Sequence, residues 1–154
     1  MNIIPSLQTT GDALNAERIR MDVIAQNIAN AQTTRDVNGK AYQRKVVSFA
    51  AVMSQATKDL RGLNGAQNNA QTGQSGLKTV RVSGITADTS PGERIYNPAH
   101  PDSDKNGYVS MPNVKMAQEM VDLITSSRAY EANLTVAKTG KAMADSALRF
   151  ARDL

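Results

Sequence analysis

The sequence predicts a mainly α protein with a small β-rich middle. Long N- and C-terminal helices pair as an antiparallel-type coiled coil, and central β-hairpin or extended segments and a mobile loop lie between them. Three observations carry this expectation: an apolar heptad from Leu7 to Ala31, a longer one from Met116 to Ala151, and short β-branched runs between them.

The first heptad is formed by Leu7, Leu14, Met21 and Ile28, with Ile24 and Ala31 at the intervening position. Thr10 and Glu17 interrupt the seam and Gly11 weakens the first turns, so this helix alone would be marginal. The polar stretch from Thr33 to Lys40, with its Asn38-Gly39 turn signal, ends it near Gln32. Residues 1–34 are therefore assigned to the terminal coiled coil. Residues 35–111 form the central region, and 112–154 supply the second helix.

Within the centre, Tyr42 to Val52 carries Val46, Val47 and Phe49 and reads as a strand or extended arm. Residues 54–76 are rich in Gly, Gln and Asn without apolar period, which predicts a mobile loop. Leu77 to Thr86 is extended, Ser90-Pro91-Gly92 turns the chain, and Arg94-Ile95-Tyr96 completes a small hairpin or sheet fragment.

The C-terminal seam is the clearest pattern. Met116, Met120, Leu123, Ser127, Tyr130, Leu134, Ala137, Lys141, Ala144, Leu148 and Ala151 alternate steps of four and three without a slip. Pro112 and Asn113 mark its start. A helix of roughly 40 residues would span about 60 Å and needs a companion, which the N-terminal heptad can supply.

Composition fits an interaction protein better than a wide globular core. Of 154 residues, 40% are hydrophobic; there is no tryptophan, and Phe49 and Phe150 are the only phenylalanines. Without cysteine there is no disulfide, thiolate metal site or cysteine nucleophile. The net charge of +4 is dispersed rather than gathered into a nucleic-acid-binding tail. No apolar run reaches membrane-spanning length, and the start of the chain lacks the basic and apolar regions of a cleaved secretory signal.

No catalytic constellation emerges. Asp102, Asp104 and Asn106 before Gly107 resemble the opening of a calcium loop, but Asn113 stands where the closing carboxylate belongs, and an ordinary surface turn uses the same residues. His100 has no partner at a metal-ligand spacing. Glu119 and Asp122, three apart on a helix, read as decoration of a solvent face. Asn133-Leu134-Thr135 matches a glycosylation sequon inside the helical seam, and reads as chance. Asn27, Asn30 and Asn133 lie in or beside the seams, where an amide either fixes helix register or faces water.

Three blocks carry a family resemblance. Arg20 to Thr34, containing Asn27-Ile28-Ala29-Asn30, closely resembles the N-terminal signature of bacterial flagellar rod and hook proteins. Tyr96 to Asp102 followed by Gly107 to Val114, and then Glu119 to Asn133, resemble the approach to the terminal helix, and the helix itself, of a short proximal-rod member of the flagellar basal-body rod family. The resemblance implies a structural subunit, with no catalytic residue, metal or cofactor, in a torque-transmitting shaft and export channel. It also implies export through the flagellar type III apparatus without a cleaved signal, and a place in the rod across the periplasm. The implied partners are other copies of the chain, other rod proteins, the basal-body base and the export apparatus, with no nucleic acid and no integral membrane segment.

The expected assembly residues are Leu7, Leu14, Met21, Ile24, Asn27, Ile28, Asn30, Met120, Leu123, Tyr130, Asn133, Leu134, Ala137 and Leu148. The terminal helices are expected to be largely unfolded in the free monomer, because backbone ordering costs about 1–2 kcal/mol per residue and an alanine-rich pair offsets this poorly. A basic coiled-coil module binding nucleic acid and a calcium-responsive adaptor are the competing expectations.

Overall fold

The computed structural model describes residues 3–36, 39–53 and 78–152. The element order is α1 (Ile3–Ala29), β1 (Lys45–Met53), β2 (Lys78–Ala87), β3 (Arg94–Tyr96), β4 (Tyr108–Ser110) and α2 (Met116–Arg152). Two helices and two small two-stranded sheets, β1 with β2 and β3 with β4, make a mainly helical protein. The loop expected at 54–76 lies outside the described residues. Among the described residues no helix is long and apolar enough to cross a membrane.

The helix boundaries have local causes. α1 ends three residues before Gln32 because Asn30 turns its side chain back on the last turn: Nδ2 donates to the Gln26 carbonyl at 2.8 Å and Oδ1 accepts from the Thr33 hydroxyl at 3.2 Å. α2 begins at Met116 rather than at Pro112, with the Lys115 carbonyl accepting the amides of Gln118 and Glu119, both at 3.0 Å. Asn113 is unavailable as its cap because its amide bridges two other segments, accepting from the Arg44 amide at 2.7 Å and donating to the Asp88 carbonyl at 3.0 Å.

The chain divides into two compact units, and each helix contributes to both. One comprises residues 19–48 and 83–128. Here the Asp88 amide donates to the Arg44 carbonyl at 2.7 Å and the Ser83 hydroxyl to the Ser48 carbonyl at 3.0 Å, so β1 and β2 run in opposite directions. β3 and β4 are antiparallel, with Arg94 opposite Ser110, Ile95 opposite Val109 and Tyr96 opposite Tyr108. Their connection closes tightly at Gly107, whose φ of 78° suits a glycine. The Oδ1 of Asp104 accepts the amides of Asn106 and Tyr108 there, at 2.8 and 2.9 Å. The turn read as a calcium-loop opening is thus closed on itself. The buried apolar side chains of this unit are Val23, Ile24, Tyr42 and Val109.

The other unit comprises residues 1–18, 49–82 and 129–154. Among its described residues Ala16 is the buried apolar side chain, and Thr79, also buried, donates to Asp12 at 2.9 Å. Arg81 lies 3.6 Å from the same carboxylate. Leu7 Cδ2 is 3.5 Å from where a Cβ on Gly140 would stand, so the glycine admits ordinary van der Waals approach of the leucine.

The inward stripe of α2 differs in phase from the one the apolar residues suggest. Met116, Leu123, Tyr130, Ala137 and Ala144 are half-buried as the heptad predicts. The positions that alternate with them, however, are Glu119 and Ser126, both fully buried, and Asn133 and Gly140, both half-buried. Met120 and Leu148 are exposed, whereas Leu134 is half-buried beside the stripe. α1 is shifted likewise: Ala16, Val23, Ile24 and Asn27 are buried, while Leu7, Leu14, Met21 and Ile28 are half-buried. Small residues on the inward stripe permit close backbone approach, and one fixed polar cluster sets the phase.

Candidate functional site

That cluster centres on Asn27, which is 1% exposed and uses all of its hydrogen-bonding capacity. Its Nδ2 donates to the Lys45 carbonyl at 2.9 Å and to Glu119 Oε2 at 3.0 Å. Its Oδ1 accepts from the Tyr42 hydroxyl and from the Lys45 amide, each at 2.9 Å. One amide therefore ties the end of α1 to the start of β1 and to the first turn of α2.

Glu119 is 0% exposed, which overturns its assignment to a solvent face. An isolated buried carboxylate would be strongly unfavourable, but its second oxygen accepts from Arg44 Nε, and Arg44 also reaches Asp122 at 3.7 Å. The pair Glu119 and Asp122 thus shares one guanidinium instead of decorating water. Arg44 is further placed by the Asn113 and Asp88 bonds to its backbone. Burial is the first cause that raises the Tyr42 phenol above its ordinary value, followed by the negative charges of Glu119 and Asp36.

Of the expected assembly residues, Asn27 and Ile24 are buried here and Asn30 caps α1, while Leu123 and Tyr130 sit half-buried on α2. Asn133 and Ala137 are half-buried on the same helix. The sequence pattern missed Ala16, Val23, Tyr42, Arg44, Glu119 and Ser126. The signal that could have found Glu119 is its heptad relation to Ser126, Asn133 and Gly140, a polar and small stripe running beside the apolar one.

Three further acids are held by hydrogen bonds. Asp102 accepts from the Thr34 hydroxyl at 2.7 Å and lies 3.5 Å from Arg35, and the Thr34 bond is the main reason its carboxyl stays below the usual range. Asp104 is lowered chiefly by the Tyr108 amide, and Asp88 by the Ser90 hydroxyl. His100 Nδ1 accepts the Asp102 amide at 3.1 Å. Among the described residues no three His, Asp or Glu side chains gather to hold a metal ion.

A second feature lies on the outside of α2. Val121, Ile124, Val136, Met143 and Phe150 are exposed, Phe150 at 70%. At 3.6 residues per turn they fall within roughly a third of the helix circumference. Thr125, Thr135, Thr139 and Ser146 share that stripe, and each turns its hydroxyl onto the carbonyl four residues earlier, at 2.8 to 2.9 Å. Their polar groups are thereby satisfied within the helix. Arg128 is the charge on the stripe, and Glu131, Lys138 and Arg149 flank it.

A chain whose buried chemistry is spent on positioning its helices, and whose longest helix presents a second apolar side, has the features of a helix-ended structural protein. Comparison with known proteins makes this specific. Residues 7–35 match the model of the flagella basal body rod protein family, and residues 105–150 match that of the flagellar basal body rod FlgEFG protein C-terminal region. The chain is 42% identical over 152 residues to the flagellar basal-body rod protein FlgC of Borreliella burgdorferi, covering 96% of this chain and 97% of that one. It is 40% identical to FlgC of Bacillus subtilis, over 99% of this chain and 100% of that one. With FlgC of Salmonella typhimurium it shares 34% identity over 93% of each. The chain belongs to the FlgC family of flagellar basal-body rod proteins. Its relatives are structural proteins of the rod.

Proposed function

We propose that this structural rod subunit polymerises through its terminal helices, with the outer stripe of α2 packed against neighbouring copies and other rod subunits. The observation that carries this is the run Val121, Ile124, Val136, Met143 and Phe150, exposed beside Ser and Thr hydroxyls already satisfied within the helix. α1 and α2 lie antiparallel in this proposal. Leu7 near the start of α1 meets Gly140 late in α2, and Asn27 near the end of α1 bonds Glu119 early in α2, which supports that direction. Half-buried Leu14, Met21, Ile28, Leu134 and Ala137, with exposed Met120 and Leu148, would flank the assembled interface.

In this proposal the exposed Phe49, Val80 and Ile85 of the central region, 35–111, meet adjacent subunits. The assembled shaft transmits torque across the periplasm and encloses the export channel, and the subunit arrives through the flagellar type III apparatus without a cleaved signal. No observation favours the nucleic-acid-binding alternative.

The natural sequence has no cysteine, so single cysteines report contacts cleanly. Cysteines placed singly at Val136, Met143 and Phe150 are expected to form disulfide-linked adducts with neighbouring subunits in isolated basal bodies, given a cysteine on the facing chain. Free monomers at low concentration should give none. Absence of adducts at all three positions in assembled rods would remove the outer stripe as an interface.

A further inference from the structure

The last five turns of α2 are divided into an apolar side and a basic side. Successive residues of a helix turn by about 100°, which puts Val136, Met143 and Phe150 within about 40° of one another. All three are exposed, at 59, 61 and 70%. The same rotation gathers Lys138, Lys141, Asp145, Arg149 and Arg152 within about 80° on the opposite side. Each of these is exposed as well. Four cations against one carboxylate give residues 136–152 a net charge of +3. Among the described residues no ion pair engages any of the four cations. Arg149 and Arg152 suit the last turn, where they face the negative end of the helix dipole, but Lys138 and Lys141 lie too far from that end for the dipole to account for them. Thr139 and Ser146 border the apolar side, and their hydroxyls are already donated to carbonyls within the helix, so they can leave water without losing a bond.

We propose that residues 136–152 are a docking surface for the anionic headgroups of a lipid bilayer, used by the free subunit before it joins the rod. A helix of this kind lies in the plane of the membrane surface, with its apolar side seated at the boundary of headgroups and acyl chains, while lysine and arginine stems carry their charges up to the lipid phosphates. Val136, Met143 and Phe150 supply the first part, and Lys138, Lys141, Arg149 and Arg152 the second. A polyanion such as nucleic acid would engage the basic side alone and leave the apolar side in water, so the pairing of the two favours a bilayer. The helix rests on the surface without spanning it, in keeping with the finding that no helix among the described residues is long and apolar enough to cross. Each cation close to an anionic leaflet favours binding about fivefold, so a net three give a preference of about a hundredfold over a zwitterionic surface at low salt. The same apolar side chains cannot face lipid and a neighbouring subunit at once, so assembly releases the bilayer. Only that release step rests on the proposed assembly.

The test is flotation of the purified full-length subunit with unilamellar vesicles in low-salt buffer. Vesicles of equal parts phosphatidylglycerol and phosphatidylcholine are expected to bind it at least about thirtyfold more strongly than phosphatidylcholine alone, and about 1 M salt, which shortens the screening length to about 3 Å, should abolish the difference. Lys138→Gln, Lys141→Gln, Arg149→Gln and Arg152→Gln combined should bring the two vesicle types within about threefold of each other. Lys105→Gln with Lys115→Gln removes two cations of the other unit and should leave the preference within about threefold of wild type. The chain has no tryptophan, so Phe150→Trp in the otherwise natural sequence places a single reporter on the apolar side, and its emission should shift to the blue with the mixed vesicles. Equal binding to both vesicle types, a loss from the Lys105 and Lys115 pair as large as from the four, or an unshifted tryptophan on bound subunit would each overturn the proposal. Because no second subunit takes part, failure here leaves the cross-linking result standing, and absent cross-links leave vesicle binding standing.

Discussion

Replacing Asn27 with alanine removes a side chain that bonds four other groups, and the expected loss follows from what is left behind. The Tyr42 hydroxyl, the Lys45 amide and the Lys45 carbonyl lose neutral hydrogen bonds worth about 1 kcal/mol each, and Glu119 loses a charge-assisted one worth about 2 kcal/mol. Water entering the vacated space satisfies some of these groups, which leaves a net destabilisation of about 3–4 kcal/mol. That is a large share of the 5–15 kcal/mol typical of a domain. In urea, with a slope of about 2 kcal/mol/M, the unfolding midpoint should fall by about 1.5–2 M. Asn30→Ala is the control. Its side chain is half-buried and bonds only locally, so the loss should stay below about 1 kcal/mol. A midpoint for Asn27→Ala within about 0.3 M of wild type would refute the central place given to this amide.

Further outcomes follow from the same geometry. Glu119→Gln removes the charge paired with Arg44, whose remaining ion pair is the 3.7 Å contact to Asp122, and sets an NH2 group against either Asn27 Nδ2 or Arg44 Nε, so it should destabilise by about 3 kcal/mol in the same assay. Gly107→Ala forces a side chain onto a backbone at φ 78° and brings Cβ to 2.9 Å from the Tyr96 ring, so thermal unfolding should report a loss of about 1–3 kcal/mol. Gly140→Ala makes only an ordinary 3.5 Å contact with Leu7 and should raise helix content by circular dichroism, with a gain of up to about 1 kcal/mol. The Tyr42 phenol is raised in the folded chain, so its contribution to stability is full below about pH 10 and is lost as pH rises through the native value. Tyr42→Phe should flatten that alkaline loss in melts taken from pH 8 to 12. Asp88, Asp102 and Asp104 are lowered, so their contribution is present above about pH 4 and fades as pH falls below it. Asp102→Asn should blunt the acid limb of the same profile.

The two helices and the β3–β4 pair were legible because their signals are local: a seven-residue apolar recurrence over a long span, and β-branched or aromatic residues bounded by Pro and Gly. Helix phase was not. Counting large apolar residues selects Met120, Leu134 and Leu148, whereas the stripe turned inward is Glu119, Ser126, Asn133 and Gly140. A polar and small stripe becomes the inner one only because Glu119 finds Asn27 and Arg44, which are 92 and 75 residues away along the chain. Such partners leave no trace in local periodicity. The asparagines beside Ile28 illustrate the same limit, since Asn27 and Asn30 are three apart yet one is the buried hub and the other a half-buried helix cap.

Rod assembly by subunits carrying a charge on the outer stripe of α2 tests the account most directly. In cells lacking the wild-type copy, Val136→Asp and Met143→Asp subunits should keep the monomer's urea midpoint, be exported, and fail to build rods visible in isolated basal bodies. Normal rods and normal motility with both aspartates in place would contradict assembly through this face.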